Sequence, residues 1–305
     1  MDYSCIACDS QRISCLGALP VFTQDFLGAP LDDQVDAGSM YRCLDCSLHF
    51  RAPAPSQEAL ADYYGGLSSD EWWQHEPDRE VWREIKKVIA RAPEHSVLDV
   101  GCFRGDLLDY LGNEWQRFGV EPSRHARLAA ESRGIKIVGD SIESLPVTRQ
   151  QFGAITLVDV MEHLLRPLDA LRKLVSLVKP GGQIVIFTGN TDAWSWRFAG
   201  VHYWYSAMPE HVAFFNPKWF EWSAPKIKCR VSLVRQLRYQ PTPIRTRLDE
   251  ALKNIAYVTY RRLETSAAPV RVVSRLPVLN RIGNWESCWW TSARDHILVM
   301  LTKEE

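Results

Sequence analysis

From residue 95 to residue 190 the chain alternates short apolar runs with stretches whose apolar residues recur at helical spacing. Val97, Leu98 and Val100 read as a buried strand, and Leu107, Leu108 and Leu111 as one face of a helix over 106–111. A second strand spans 117–120. The helix over 123–133 opens on Ser123, whose hydroxyl suits the free N–H groups of a first turn. A third strand covers 135–138 and a fourth 152–160, the latter apolar almost throughout, as a parallel strand covered on both faces should be. Leu168, Leu171, Leu174, Val175 and Val178 stripe the next helix, and Pro180, Gly181 and Gly182 turn the chain into a fifth strand over 183–188. This alternation predicts an α/β fold on a parallel sheet with right-handed crossovers. Ligands of such sheets sit at the carboxyl ends of the strands, where Asp99 to Gly105, Glu121, Asp140 and Asp159 fall.

The flanks follow other patterns. Residues 52–56 form a Pro-containing linker, residues 58–64 a short helix broken by Gly65 and Gly66, and residues 71–91 an aromatic-rich helix carrying Trp72, Trp73, Trp82, Ile85, Val88 and Ile89. The stretch 190–222 holds five of the twelve tryptophans, placed either to stack on a ligand or to pack a lid on the sheet. Beyond it lie a strand over 227–237, an amphipathic helix over 246–262, an irregular Pro-containing stretch over 267–279 and a last strand over 296–301. The expected division is a metal module over 1–54, a helical linker or lid over 55–94, the sheet domain over 95–240 and a C-terminal extension over 241–305.

Charge and cysteine usage narrow the chemistry. The net charge of −1 argues against a dedicated nucleic-acid binder. Between residues 226 and 281, however, thirteen Lys and Arg stand against Asp249, Glu250 and Glu264, which favours an anionic partner such as a phosphate-bearing substrate or a membrane surface. No apolar run approaches the ~20 residues that cross a bilayer. No export signal is recognised at the start, so a cytoplasmic protein is expected, with the basic stretch able to meet the inner face of the membrane. Of eight cysteines, Cys5 with Cys8 and Cys43 with Cys46 form two Cys-x-x-Cys pairs. Two such pairs complete a tetrahedral four-thiolate zinc site, which has no open position for chemistry and serves to fold a segment with little core of its own. Short strands at Tyr41–Arg42 and around Leu48, His49 and Phe50 flank the second pair, as in a zinc ribbon; His49 is a spare ligand that four cysteines do not need.

At the first strand end, Gly101 and Gly105 punctuate a turn that lets backbone N–H groups approach a ligand. Glu121, about twenty residues on, suits a ribose diol, because a carboxylate can accept from both hydroxyls. Leu-Asp-Val-Gly-Cys-x-x-Gly, Val-Glu-Pro, Gly-Asp-x-x-x-x-Leu-Pro, Asp-Val-Met-Glu-His-Leu and Lys-Pro-Gly-Gly-Gln-Ile-Val-Ile follow in that order over 96–190. In this the chain resembles the class I S-adenosylmethionine-dependent methyltransferases. The ribbon, the Pro-Glu-His-Val-Ala-Phe-Phe segment and the late Ala-Arg-Asp-His-Ile-Leu-Val are similar to a bacterial subgroup linked to sugar, polysaccharide and secondary-metabolite methylation.

The resemblance implies a Rossmann-like, mainly parallel seven-stranded sheet. It implies that Asp99, Gly101, Cys102, Phe103 and Gly105 surround the methionine end of the cofactor and that Glu121 takes the ribose. Asp140, Ser141 and Ile142 would flank the adenine, and Asp159 and Val160 the sulfonium. Phe103 replaces the usual middle glycine, and since a bulky side chain disfavours positive φ, an ordinary backbone is expected there. Methyl transfer to an alcohol needs a base, and His211, next to Glu210, is the leading candidate, followed by His163; Tyr203 and Tyr205 are weaker ones. The acceptor expected is a saccharide or a nucleotide- or lipid-linked sugar, methylated on oxygen. Carbon methylation of a keto-sugar nucleotide, rRNA methylation and a non-catalytic zinc-bearing binding module are the alternatives. The oligomeric state is not legible.

Overall fold

The computed structural model describes residues 3–20, 37–65, 80–146, 151–239, 242–265 and 289–304. Strands β1 (Ile13–Ala18), β2 (Ser39–Cys43) and β3 (His49–Ala52) open the chain, followed by helices α1 (Gln57–Gly65) and α2 (Glu80–Ile89). The alternation then runs β4 (Ser96–Val100), α3 (Asp106–Leu111), β5 (Gln116–Val120), α4 (Arg124–Ser132), β6 (Lys136–Gly139), β7 (Phe152–Val158), α5 (Pro167–Leu177) and β8 (Val178–Gly189). Helices α6 (Trp194–Ala199) and α7 (Trp204–Ala207), strand β9 (Ala213–Phe214), helix α8 (Pro217–Ser223), strand β10 (Cys229–Leu237), helix α9 (Ile244–Thr265) and strand β11 (His296–Lys303) complete it.

The expected seven-stranded sheet is present, in the order β10-β11-β8-β7-β4-β5-β6. Strands β8, β7, β4, β5 and β6 run parallel, while β11 is antiparallel to both β8 and β10. Its two faces are covered differently. On one, Leu98, Val100, Ile155, Leu157 and Ile186 pack under α5; on the other, Val97, Ala154, Val185 and Phe187 pack under α2 and α3, whose Trp82, Ile85, Ile89 and Leu108 are buried. Ser123 caps α4, its hydroxyl accepting from Ala126 N.

The cysteine module is more deeply joined to the sheet domain than a linked ribbon would be. Its own sheet has four strands, β1-β2-β3-β9, and the last comes from the Trp-rich insert: His49 pairs with Phe214 and Phe50 with Ala213. Cys5, Cys43, Leu48 and Phe50 belong to one continuous apolar cluster with Ile155, Leu157, Phe215 and Trp219. Strand β1 has no signature in the sequence, because its residues are mostly exposed and it is held by main-chain pairing to β2, with a bulge between Cys15 and Gly17.

Other expectations need correction. The turn at 180–182 is a bulge inside the single strand β8, whose register on β7 jumps from Phe152↔Val178 to Ala154↔Gln183. Strand β7 stops at Val158 because Asp159 takes a left-handed backbone, φ 54°. Most of the insert's aromatics pack rather than present faces to a ligand: Trp196, Trp204 and Trp219 are buried, while Trp194 is exposed. Trp72, Trp73, Gly66 and the stretch 267–279 lie outside the described residues.

Trp219 is fully buried against Phe215 and Phe220, at ring-centroid distances of 4.8 and 5.1 Å. Trp219→Ala is expected to lower the unfolding free energy by about 3–5 kcal/mol, seen as a lower urea midpoint at unchanged slope. A midpoint equal to that of the parent would contradict this packing.

Candidate active site

The carboxyl ends of β4, β5, β6 and β7 meet at one edge of the sheet, and the backbone there is tightly tied. Gly101 N and Cys102 N both donate to Val120 O, at 2.8 and 3.1 Å, so the turn after β4 is anchored to the end of β5. Gly101 (φ 70°) and Gly105 (φ 82°) need their freedom: a Cβ on the first would sit 2.7 Å from Val160 Cγ2, and one on the second would run into Ile135. Phe103 does not have the ordinary backbone expected of it. Its φ is 48°, a conformation that costs a non-glycine residue roughly 1–3 kcal/mol and has to be held by its surroundings. The holding group is Glu121, whose Oε2 accepts from Phe103 N at 2.9 Å while Oε1 accepts from Ser123 N at 2.8 Å. Burial raises the Glu121 pKa, and the donated N–H bonds of Ser123 and Phe103 pull against that rise.

Asp99 is buried and accepts from Thr156 Oγ1 at 2.6 Å; burial pushes its carboxyl up to about 7. Cys102 is buried beneath the turn, its Sγ where a Cβ on Gly119 would fall. At the end of β6, Asp140 is exposed, and its carboxyl is lowered first by the hydroxyl of Ser144 and then by that of Ser141. Ile142 beside it is buried, while Ser141, Asp159 and Val160 are partly exposed. The sequence-predicted cofactor residues therefore share one edge, with glycines where backbone approach is needed and carboxylates on either side.

The candidate bases converge in a second cluster next to it. His163 follows β7, its N–H donating to Val160 O at 3.1 Å, and Val212 N donates to Glu162 O at 2.8 Å, which docks the 210–212 segment there. The His163 and His211 rings lie 4.8 Å apart, and ligand-capable atoms of Glu162, His163 and His211 all fall within 4.8 Å of one another. His211 Nδ1 lies 2.7 Å from the Tyr205 carbonyl; a carbonyl only accepts, so Nδ1 carries the proton and Nε2 is the basic nitrogen. Burial keeps the His211 pKa well below the ordinary range, with the His163 charge adding to the depression. Burial raises Glu162 to about 7, the nearby Asp159 charge adding to the effect, and Thr188 Oγ1 donates to its Oε2 at 2.9 Å. Glu210 is buried and raised, and its Oε2 has no hydrogen-bond partner among the described residues.

Three further residues reach this cluster without having been picked out as site residues in the sequence. Tyr64 of α1 brings its hydroxyl to 2.6 Å from His163 Nδ1. Glu162 was visible as half of a Glu-His pair. Arg51 of β3 reaches the carbonyl of His211. Of the weaker candidates, Tyr205 lies against His211, with ring centroids 4.2 Å apart, while Tyr203 donates to Asp295 at 2.7 Å in a separate buried network with Trp204 and His296.

In the cysteine module, the four Sγ atoms of Cys5, Cys8, Cys43 and Cys46 lie within 4.8 Å of one another. The Cys5–Cys46 and Cys8–Cys43 separations of 3.5 and 3.6 Å exceed the ~2.05 Å of a disulfide and suit four thiolates around one ion. His49 turns away, its Nδ1 3.3 Å from Thr191 Oγ1, and burial lowers its pKa to about 4.

Residues 73–227, just over half of the 305-residue chain, match the family described as a methyltransferase domain. The chain belongs to this methyltransferase family. The family takes S-adenosylmethionine as its cofactor, and the observed strand order is that of its class I members. Among curated relatives, the ubiquinone biosynthesis O-methyltransferase of Serratia proteamaculans (strain 568) is 29% identical over 168 residues, covering 48% of this chain and 70% of the relative. Its namesake in Yersinia pestis (strain Pestoides F) is 32% identical over 157 residues, covering 46% and 65%. The chain thus spans about two thirds of these relatives, and they span about half of it. A solved complex between the Haloferax volcanii Trm112 methyltransferase activator and a methyltransferase superposes with a TM-score of 0.50 at 14% identity, covering 73% of this chain and 90% of that one. At that identity the likeness speaks for the fold alone.

With Nδ1 pinned to a carbonyl and the ring buried, His211 of this methyltransferase is expected to be neutral at a pH of about 6, where an imidazole of ordinary pKa (about 6.5) is mostly protonated. Nitrogen NMR of histidine-labelled protein reads both the charge and the tautomer; an imidazolium, or a proton on Nε2, would contradict the assignment.

Proposed function

We propose that this methyltransferase transfers a methyl group from S-adenosylmethionine to a hydroxyl of a small acceptor, with His211 Nε2 taking the hydroxyl proton. The observation that carries the reading is the His211 ring: it is buried, the Tyr205 carbonyl holds its Nδ1 and leaves Nε2 as the basic nitrogen, and burial lowers its pKa toward the neutral form a base needs. Its neighbours support the role. The second imidazole, His163, and the buried Glu210 and Glu162 carboxyls give an arriving proton somewhere to be shared. The relatives' name, O-methyltransferase, supports transfer to oxygen.

For the cofactor, we assign Asp99, Gly101, Cys102, Phe103 and Gly105 to the methionine end and Glu121 to the ribose. Asp140, Ser141 and Ile142 take the adenine, and Asp159 and Val160 the surroundings of the sulfur. The glycine cradle and the strand-end carboxylates support this. When bound, the cofactor supplies an electrophilic methyl on a positively charged sulfur; the protein's part is to align the hydroxyl, exclude water and accept the proton. The acceptor class is the open variable. Sugar and nucleotide-sugar hydroxyls are one candidate set, and hydroxyls on a ubiquinone-type ring, suggested by the relatives, are the other. The four cysteines hold a structural zinc ion.

Three measurements test this. Titration calorimetry should show S-adenosylhomocysteine binding, weakened on the order of 10- to 100-fold in Glu121→Ala, the range a hydrogen bond to a charged group commands. Absence of binding in the parent would point to a non-catalytic module. Incubation with ¹³C-methyl cofactor and a hydroxyl panel should yield a methyl ether, and His211→Asn should lower turnover by about 10²- to 10⁴-fold. A carbon-bound label would make the enzyme a C-methyltransferase, and activity abolished by a mild chelator and restored by magnesium would assign the histidine cluster to a cation instead. For the ribbon, elemental analysis should find one zinc per chain, lost in Cys5→Ser.

A further inference from the structure

Arg51 is a buried cation in an unusual setting. It lies on β3, the last ribbon strand, and is 2% exposed. Burying a guanidinium is costly unless its donors are used. Here the fork is spent on carbonyls: Nε donates to His211 O at 3.1 Å, Nη2 to Ser206 O at 2.8 Å and Met208 O at 2.9 Å, and Nη1 to Ala37 O. Three of these four carbonyls belong to one turn, residues 206–211, which leads out of α7. The main chain adds a fifth tie, Arg51 N donating to Val212 O at 2.9 Å. Tyr205, just before this turn, holds the His211 ring through its carbonyl and Nδ1, at 2.7 Å.

We propose that Arg51 is a positioning residue for the acceptor site: from the ribbon it clamps the 206–211 turn and so aims the His211 imidazole. The inference rests on the reading of His211 as the proton acceptor. Two features favour it over mere packing. A buried charge is poor at raising stability, since an apolar residue of the same volume often does as well or better. And the planar five-donor fork matches a set of divergent carbonyls in a way that the three-donor ammonium of lysine does not. Arg51 also leaves its charge beside the site. His211 is faced by Arg51, His163, Glu162, Glu210, Tyr205 and His296, and Arg51, His163 and His296 all oppose its protonation. Removing the guanidinium therefore moves the imidazole toward protonation as well as loosening it.

The test uses full-length, zinc-loaded Arg51→Met and Arg51→Lys. Both are expected to bind S-adenosylhomocysteine within about twofold of the parent, since the Arg51 side chain spends its donors on the carbonyls of Ala37, Ser206, Met208 and His211. Arg51→Met should lose about 10²-fold in kcat, the lower end of what a general base supplies, and the acid limb of its pH–rate profile should move to higher pH. Arg51→Lys should hold the limb in place and recover part of the turnover. The His211 ring resonances should shift in Arg51→Met whether or not turnover is measured. If Arg51→Met weakens cofactor binding and turnover together with the acid limb and the His211 resonances unmoved, Arg51 is structural and the proposal fails. Should Arg51→Met not fold, an Arg51→Lys protein with parental kcat and parental His211 resonances overturns it equally. If instead His211→Asn keeps full turnover while the His211 resonances do move in Arg51→Met, the clamp stands and the base assignment is what fails.

Discussion

A carboxylate withdrawn from water must be given donors, and the Glu121 side chain at the end of β5 is 5% exposed. Its two oxygens take the N–H groups of Phe103 and Ser123, and with them the whole cofactor edge is specified. The bond to Phe103 holds a bulky residue in a left-handed backbone and so shapes the glycine turn after β4. The bond to Ser123 places the residue that caps α4. Turn shape and helix start thus meet at one side chain. The turn is preformed, so binding does not have to order it.

The cluster of Glu162, His163, Glu210 and His211 rests on a different support. It sits where the chain after β7 and the turn after α7 meet, and neither segment is regular enough to hold a side chain still. Rigidity comes from cross-links: Val212 to Glu162, His211 to Tyr205, and Arg51 to three carbonyls. Burial raises the Glu162 and Glu210 carboxyls and lowers the His163 and His211 imidazoles, favouring the uncharged form of each.

What was legible in the sequence follows from these physics. The strand-end residues could be read because glycine turns and acids recur at spacings set by one strand and one helix, and the cysteine pairs because four thiolates at that spacing have few other uses. Phe103 was misread: intrinsic preference disfavours its φ, and the bond to Glu121 that compensates comes from eighteen positions away in sequence. His163 and His211 were each picked out as alternative bases without their convergence being read, and Tyr64 and Arg51 left no trace. A tyrosine in a short helix and an arginine in a strand look like surface, and only tertiary placement shows them turned inward. The tryptophans were ambiguous because an aromatic face serves a core and a ligand equally well; burial decided for the core.

The pairing of β3 with β9 also bears on how the protein is made. His49 waits for Phe214, 165 residues later in the chain, so on the ribosome the cysteine module emerges before its partner strand, with one sheet edge open and Phe50 uncovered. Such an edge is a template for wrong partners until the right one arrives. Contacts this distant in sequence are slow to form. Its sheet is finished only after strands β4 to β8 have been synthesised. A module that precedes the sheet domain in the chain is thus completed after it, and a truncation that spares every ribbon residue but removes the insert would still leave it unfinished.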